Sequence, residues 1–144
     1  MTLIDEAADE FMRLHNRVLL LARRADGSPT GWPMTGIYAD GILQFSTYRK
    51  SAKVRIIAAD PRVCCLVTAR EGLGERRVLE YVGTAEVVTE AREMPSRSQA
   101  PGSTPAPTAI GTVPEEIGQR AQDRLASGKR CLIRVAPLRV GFLP

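Results

Sequence analysis

Residues 31–47, GWPMTGIYADGILQFST, hold two runs of strand-forming residues on either side of Asp40-Gly41. An Asp-Gly pair between two such runs predicts a hairpin with a two-residue turn, because both turn positions need a positive φ. We therefore expect Gly31–Ala39 and Ile42–Thr47 to be antiparallel neighbours in a sheet.

Other segments around this hairpin have the apolar, β-branched composition of strands, and Asp26-Gly27 is a further turn signal between the first of them and Gly31–Ala39. These segments are Arg17–Arg24, Arg62–Ala69, Arg77–Thr89 and Cys131–Val135. Cys64 and Cys65 are adjacent within a strand, so they point to opposite faces and at least one is expected in the core. Six strands with short connections predict an antiparallel meander curled into a small closed or nearly closed barrel.

Apolar residues at three- and four-residue spacing predict helices over residues 3–15 and Ser51–Ala59. Thr2 and Asp5 have the spacing of a capping box at the start of the first helix. Asp60, followed by a proline, ends the second helix. The fold class expected from these elements is mainly β with a few helices.

A proline-rich segment interrupts the pattern late in the chain. Residues 95–114 hold five of the ten prolines, so they are predicted to form a long loop or a lid. A last helix is expected from Thr112 to Gly128, before the final strand. The 144 residues are expected to form a single domain, because this length is typical of one domain with its own core.

The composition excludes several classes of site. One histidine and three cysteines without C-x-x-C spacing leave no pattern for a metal centre, so no metal is expected. The net charge of +4 is mild, and three Phe, three Tyr and one Trp offer few stacking platforms, so a nucleic-acid partner is not expected. The longest apolar run, Val18–Ala22, is too short for a membrane span and no signal peptide is visible, which indicates a cytoplasmic protein.

Hydroxyl and basic side chains come together where the second predicted helix begins. Ser46 and Thr47 end a strand, and Lys53 falls in the first turn of the helix that opens four residues later. Hydroxyl donors, free amides at a helix N-terminus and an ammonium group are what a phosphate needs. Taken alone, these residue types are better explained by a solvated Lys53, so the pattern leaves both interpretations open.

Seven short motifs occur in a fixed order along the chain. They are Asp26-Gly27-x-Pro29, Trp32-Pro33, Asp40-Gly41, Phe45-Ser46-Thr47, Ser51-x-Lys53, Asp60-Pro61-Arg62-Val63 and Gly83-Thr84-Ala85-Glu86. Together they resemble the pyridoxamine 5'-phosphate oxidase-like split-barrel superfamily, and more narrowly its flavin/deazaflavin oxidoreductases of actinobacteria. The resemblance covers residues 12–90 and, more loosely, Arg130–Val140. It implies a split β-barrel of the FMN-binding type with six or more antiparallel strands.

The resemblance also implies a cofactor site. The strand at Gly31–Gly36 would run beside a flavin-type ring and contribute largely through backbone atoms. The residues of this strand that the resemblance places beside the ring are Trp32, Pro33, Met34 and Thr35. Ser46 and Thr47 would bind the phosphate or phosphoribityl region, and Lys53 would bind the phosphate.

The chain departs from the oxidase branch at several matching positions. Ala52 stands where that branch often has an arginine, so Lys50 or Arg49 is expected to supply a substitute charge. Val78 stands where the oxidases place a glutamine. The C-terminal tryptophan and arginine that bind the pyridoxal substrate have no counterpart, since Trp32 is the single tryptophan. Pyridoxamine phosphate oxidation is therefore not expected.

The resemblance leaves F420 and FMN as candidate cofactors, because both carry the tricyclic ring, the ribityl chain and the phosphate. We favour F420, whose polyglutamate tail would suit a basic surface formed by Arg49, Lys50, Arg55, Arg70, Arg76 and Arg77. The expected activity is hydride transfer between F420 and a small electron-poor organic substrate. The alternatives are an FMN-dependent oxidase or reductase and a non-catalytic flavin- or tetrapyrrole-binding protein.

Similar proteins are homodimers, so we expect a homodimer with the cofactor at the subunit interface. A barrel of this size is filled by its own side chains, which leaves a planar ligand only an outer groove. No side chain is assigned as a catalytic acid or base. Tyr48 and Tyr81 are candidate proton donors, although packing or surface roles explain them better. For Trp32, stacking on a ligand and packing in the barrel are both open.

Overall fold

The computed structural model describes residues 4–89 and 129–144. Within them the chain forms α1 (Glu6–Leu14), β1 (Arg17–Arg23), β2 (Pro29–Thr35), β3 (Ile37–Ala39), β4 (Ile42–Tyr48), α2 (Ala52–Ala59), β5 (Arg62–Thr68), β6 (Leu79–Val88) and β7 (Arg130–Phe142). The strands form one antiparallel sheet in the order β2-β1-β5-β6-β7-β4-β3. The predicted mainly β class is confirmed. The predicted proline-rich loop and last helix lie outside the described residues.

The sheet curls into a split barrel because its two edges are tied together. β2 and β3 lie at opposite edges of the strand order, yet only Gly36 separates them in the sequence. Thr35 and Ile37 are therefore within two Cα steps, about 7 Å, of each other. The two edges meet at this point and are not paired with each other along the rest of β2 and β3, which leaves the barrel split.

Gly36 is required by the close approach at this junction. Its N–H donates to the carbonyl of Asn16 at 2.8 Å. A Cβ at this position would lie 2.9 Å from Leu43 Cδ1 and 3.1 Å from Val18 Cγ2, both of which are core side chains. A side chain here would push against the strands on both sides of the split.

The predicted Asp40-Gly41 hairpin turn is confirmed. Asp40 and Gly41 have φ values of 52° and 78°, and Ala39 pairs with Ile42 across the turn. The prediction that the whole of Gly31–Ala39 pairs with β4 is wrong, because the pairing partner changes at Gly36. Only the three residues of β3 pair with β4, whereas β2 pairs with β1.

The predicted meander is also wrong. β1 lies between β2 and β5, and β7 lies between β6 and β4, so neighbours in the sheet are often distant in the sequence. The helix α2 carries the chain from β4 to β5, which do not pair, and it packs on β6 and β1. β7 runs from Arg130 to Phe142, well beyond the predicted Cys131–Val135, and pairs with both β4 and β6. Strand patterns show which faces are apolar but not which strands pair.

Alternate residues of each strand fill the barrel. The strand residues in this core are Val18, Leu20, Ala22, Leu43, Phe45, Val63, Cys65, Val67, Leu79, Tyr81, Ala85, Ile133 and Val135. Cys65 is fully buried and Cys64 is half-buried on the outer face, which confirms the expected alternation. Ala8, Phe11 and Met12 of α1 and Ile57 of α2 complete the core.

The first helix begins at Glu6, three residues later than the sequence predicted. Asp5 is itself the N-cap of α1, and its carboxylate accepts a hydrogen bond from the Ala8 N–H at 2.8 Å. The expected pairing of Asp5 with Thr2 in a capping box is therefore replaced by a simple side-chain cap. Thr2 lies outside the described residues. No helix in the described part of the chain is long and apolar enough to cross a membrane.

Candidate functional site

The predicted phosphate-binding pair, Ser46 and Thr47, points to opposite faces of β4. Thr47 is only 4% exposed and lies on the same face as the core residue Phe45. Ser46 is half-buried on the outer face, where Arg130 contacts it twice. The Arg130 Nε donates to the Ser46 hydroxyl at 3.1 Å, and its Nη2 donates to the Ser46 carbonyl at 3.0 Å. Of the pair, only Ser46 presents its hydroxyl on the outer face.

Arg130 is a site residue that the sequence did not suggest. Its guanidinium carbon lies 4.4 Å from the centre of the Tyr48 ring, so the group is held between that ring and Ser46. Tyr48 and Arg130 are paired across β4 and β7, which are distant in the sequence. The sequence pattern predicted a last strand that begins at Cys131, and no local signal indicated that Arg130 pairs with Tyr48.

A tight turn joins β4 to α2 and holds the predicted helix N-terminus in place. The Ser51 N–H donates to the Tyr48 carbonyl at 3.1 Å. Ser51 is the N-cap residue of α2, but its side chain makes no capping hydrogen bond. Its hydroxyl oxygen is buried and has no partner, the single such side-chain atom found in the described part of the chain. Lys50 and Ala52 on either side are exposed.

This unpartnered hydroxyl is the observation that tests whether the site fits a phosphate. A buried polar group without a hydrogen bond costs about 1–3 kcal/mol, so native structures rarely leave one. The amides in the first turn of α2 also have no partners within the helix. An anionic oxygen at this position would accept hydrogen bonds from both, so the residues present fit a phosphate group.

Trp32 and Lys53 are brought together by the tertiary structure. The Lys53 ammonium nitrogen lies 5.9 Å from the centre of the Trp32 ring. Both side chains are half-buried, and Trp32 packs against the barrel core. The strand that was predicted to run beside a ring and the helix that was predicted to bind a phosphate are therefore neighbours.

β2 offers an open backbone edge, because it pairs only with β1. Two hydrogen bonds at the ends of the β1–β2 pair show which residues of β2 bond to β1. The Gly36 N–H donates to the Asn16 carbonyl, and the Arg24 N–H donates to the Ser28 carbonyl. Since hydrogen-bonded pairs alternate along antiparallel strands, even-numbered residues of β2 face β1 and odd-numbered ones face outward. The open edge therefore presents the peptide groups of Gly31, Pro33 and Thr35, with Pro33 supplying only a carbonyl.

The side chains of β2 follow the same alternation. Trp32 and Met34 are half-buried against the core, whereas Pro33 and Thr35 are exposed. The four residues predicted at a cofactor ring thus divide into two that pack inward and two that face solvent.

The predicted basic surface is not one continuous patch. Arg49 and Lys50 are exposed in the turn before α2. Arg77 is engaged elsewhere: it pairs with Glu75 at 2.9 Å, and its guanidinium carbon lies 4.7 Å from the centre of the Phe142 ring. Arg55 lies in a separate groove beside the β1–β2 turn.

Tyr81 is a structural residue and not a proton donor to a ligand. It is fully buried, and its hydroxyl lies 2.7 Å from the Gly41 carbonyl and 2.8 Å from the Val135 carbonyl. Burial raises the pKa of Tyr81 well above its ordinary value. Tyr48, by contrast, is 61% exposed. Val78, at the position of the oxidase glutamine, uses its carbonyl to accept a hydrogen bond from the Leu143 N–H.

The cysteines are not activated. All three are free thiols, and burial raises the pKa of Cys64, Cys65 and Cys131. A raised pKa keeps the thiol protonated and unreactive. In the part of the chain that the structure describes, no group of three His, Cys, Asp or Glu residues is placed to hold a metal ion.

The fold and the sequence together define the family. The chain matches the family model of pyridoxamine 5'-phosphate oxidase over residues 4–143. The match spans nearly the whole chain, so the protein belongs to this family, as the motifs predicted. A search of curated proteins finds no match for the chain.

Solved structures share the split-barrel fold. An F420 reductase is 20% identical with a TM-score of 0.66, over 96% of this chain and 98% of that one. The conserved hypothetical protein Rv2991 from Mycobacterium tuberculosis is 21% identical with a TM-score of 0.68, over 96% and 84%. An FAD-binding protein from Mesorhizobium loti is 19% identical with a TM-score of 0.64, over 96% and 94%. At these identities the similarity shows the fold alone.

Proposed function

We propose that the chain is an oxidoreductase that binds F420 and transfers hydride between this cofactor and a small electron-poor organic substrate. The observation that carries the proposal is the buried, unpartnered hydroxyl of Ser51 at the start of α2. Lys53, two residues later, carries its ammonium group to 5.9 Å from the ring of Trp32 on β2, the strand with the open edge. Membership of the family and the shared fold of an F420 reductase support the choice of cofactor chemistry.

The phosphate end of the cofactor would be held at the start of α2. Ser51 would supply its hydroxyl, the first turn of α2 its free amides, and Lys53 its ammonium group. Arg130, fixed over Tyr48 and bonded to Ser46, would add a second positive charge at the end of β4. A charge held in place before binding loses little freedom when the anion arrives, which favours affinity.

The ring would lie along the open edge of β2. The peptide groups of Gly31, Pro33 and Thr35 would meet its polar edge, and Trp32 would limit the access of water from the barrel side. When bound, the cofactor supplies the hydride chemistry. The chain's own contribution is to bind, orient and shield it, since no side chain in the described site has to act as an acid or base.

The phosphate end by itself fits FMN as well as F420, because both carry a phosphate group on the ribityl chain. An FAD-binding protein with the same fold supports the flavin alternative. The preference for F420 rests on its acidic tail and the basic residues that flank the site, such as Arg49 and Lys50.

We also propose that two copies of the chain complete the site. The outer face of β1, β5 and β6 carries an apolar patch at its centre: Leu19 is 44% exposed, and Leu21, Leu66, Cys64 and Val82 beside it are half-buried. These residues are cross-strand neighbours in adjacent rows of the sheet. This face adjoins the open edge of β2, so a second copy seated on it would enclose a ring lying at that edge.

The direct test is a side-by-side titration of the purified apo-protein with F420 and with FMN, followed by calorimetry, with the molar mass measured by light scattering. Micromolar or tighter binding of F420 alone, to a dimer, is the expected result. Preference for FMN would move the protein to the flavin alternative, and binding of neither would overturn the proposed function. Turnover of electron-poor acceptors with reduced cofactor then separates an enzyme from a non-catalytic binding protein.

A further inference from the structure

A second basic site lies at the other end of α2. The turn between β1 and β2 and the C-terminal half of α2 border an open groove of about 410 Å³. Arg23, Arg24 and Arg55 line it, together with the apolar side chains of Ile56 and Ala59. The two ends of this eight-residue helix are about 10 Å apart, so this arginine groove is distinct from the proposed phosphate position.

The groove keeps a positive charge because its one carboxylate is shared. Asp60 binds Arg23, with Nη2 to Oδ2 at 2.9 Å, and also Arg62, with Nε to Oδ1 at 3.1 Å. Asp26 in the nearby turn is not part of the lining, and its carboxylate accepts hydrogen bonds from the Ser28 N–H and hydroxyl. Two further guanidinium groups of the lining are therefore not neutralised by an ion pair.

These two arginines are suited to binding in different ways. Arg24 is already fixed, since its guanidinium donates to the Ser28 hydroxyl, the Pro29 carbonyl and the Thr30 hydroxyl at 3.0–3.3 Å. Arg55 is exposed, and its side chain makes no hydrogen bond or ion pair in the described part of the chain. Arg24 in the turn and Arg55 on α2 lie on different sides of the groove, so each guanidinium group can bind a separate anionic group.

We propose that the arginine groove binds a small polyanion with two or more carboxylate or phosphate groups. Guanidinium groups bind either anion through paired N–H donors, and a ligand with one charge would engage only one wall. The apolar patch of Ile56 and Ala59 would lie under the carbon skeleton that joins the charges. The inference does not rest on the proposed function, because the proposed cofactor site does not include Arg23, Arg24 or Arg55.

The test titrates citrate, triglutamate and pyrophosphate into the full chain by calorimetry at constant ionic strength, with acetate as the single-charge control. At least one of the three is expected to bind saturably and at least tenfold more tightly than acetate. The order of their affinities identifies the kind of ligand: citrate represents a compact carboxylate, triglutamate an extended carboxylate chain and pyrophosphate a phosphate.

Two substitutions locate the binding. Arg55→Gln removes an exposed group without partners, so the fold is retained, and it should weaken binding about five- to tenfold. Arg13→Gln removes an exposed arginine of α1 that does not line the groove, and it should leave affinity unchanged. The proposal is overturned if none of the three polyanions binds, if acetate binds equally well, or if the two variants behave alike.

Discussion

The ammonium group of Lys53 lies 5.9 Å from the centre of the Trp32 ring. This distance is within the range of a cation–π interaction. It joins the first turn of α2 to β2, the strand with the open edge. Two parts of the proposed cofactor site that are separate in the sequence are thus in contact in the structure.

Replacing Lys53 by alanine is expected to weaken cofactor binding by about 1.5–3 kcal/mol, the usual contribution of a charge-assisted hydrogen bond. Calorimetric titration with F420 and FMN measures the change. Arg13→Ala, which removes an exposed cation on α1, is the matched control and should bind as the wild type does. An unchanged dissociation constant in a folded Lys53→Ala variant would contradict the phosphate assignment.

Arg130→Gln is expected to weaken cofactor binding about tenfold, or 1.4 kcal/mol, because it removes a fixed positive charge beside Ser46. Arg130→Lys keeps the charge but cannot reproduce both bonds to Ser46 or the planar stacking on Tyr48. If Arg130 acts by holding a defined position, the lysine variant will bind almost as weakly as the glutamine variant. Wild-type affinity in both variants would remove Arg130 from the site.

Gly36→Ala is expected to destabilise the barrel by about 1–3 kcal/mol, because the new methyl group would be forced against Leu43 and Val18. Urea unfolding monitored by circular dichroism measures this. Gly141→Ala is the matched control, since a Cβ there meets nothing within 4 Å. Equal stability of the two variants would show that the edges of the barrel do not close tightly at Gly36.

Tyr81→Phe is expected to cost about 1–3 kcal/mol of stability, because it removes the buried hydroxyl whose single proton is shared between the Val135 and Gly41 carbonyls. Tyr48→Phe should leave the free energy of unfolding unchanged, since Tyr48 is exposed. Turnover per bound cofactor should be unaffected in Tyr81→Phe. A loss of turnover without a loss of stability would instead assign Tyr81 a catalytic role.

The Glu75–Arg77 pair gives the fold an acid-dependent contribution. Hydrogen bonds from the Arg77 side chain and N–H lower the pKa of Glu75 from 4.5 to about 2. Because the folded pKa lies below the unfolded one, this stabilisation is present above pH 4.5 and is lost as the pH falls towards 2. The difference in Tm between wild type and Glu75→Gln should therefore shrink between pH 5 and pH 2, and a difference that does not depend on pH would contradict it.

Much of the fold could be predicted because local patterns determine it. The Asp40-Gly41 turn needs two residues that accept positive φ, and the sequence supplies them in the right place. The apolar, β-branched composition of β1, β5 and β6 marked them as strands, and alternation along β5 correctly predicted that Cys64 and Cys65 point to opposite faces. The start of α2 at Ser51 and its end before Asp60 also follow from neighbouring residues.

The site was predicted only in part, because its parts come from distant segments. The motifs placed Ser46, Ser51 and Lys53 near one another, and these are close in the sequence. Arg130 reaches Ser46 only because β7 pairs with β4. Strand alternation predicts that Thr47 points to the face opposite Ser46. Its burial depends on the residues that pack against that face, which come from other segments.

The sequence by itself determined the Asp40-Gly41 turn, the limits of α2 and the family, because each depends on neighbouring residues or on a short ordered motif. Only the tertiary structure decided the order of the strands, the split at Gly36 and the contact between Lys53 and Trp32. The physical reason is that an apolar strand face can be buried against several partners with similar gain. The choice among them is made by the closure of the whole barrel and not by any one segment.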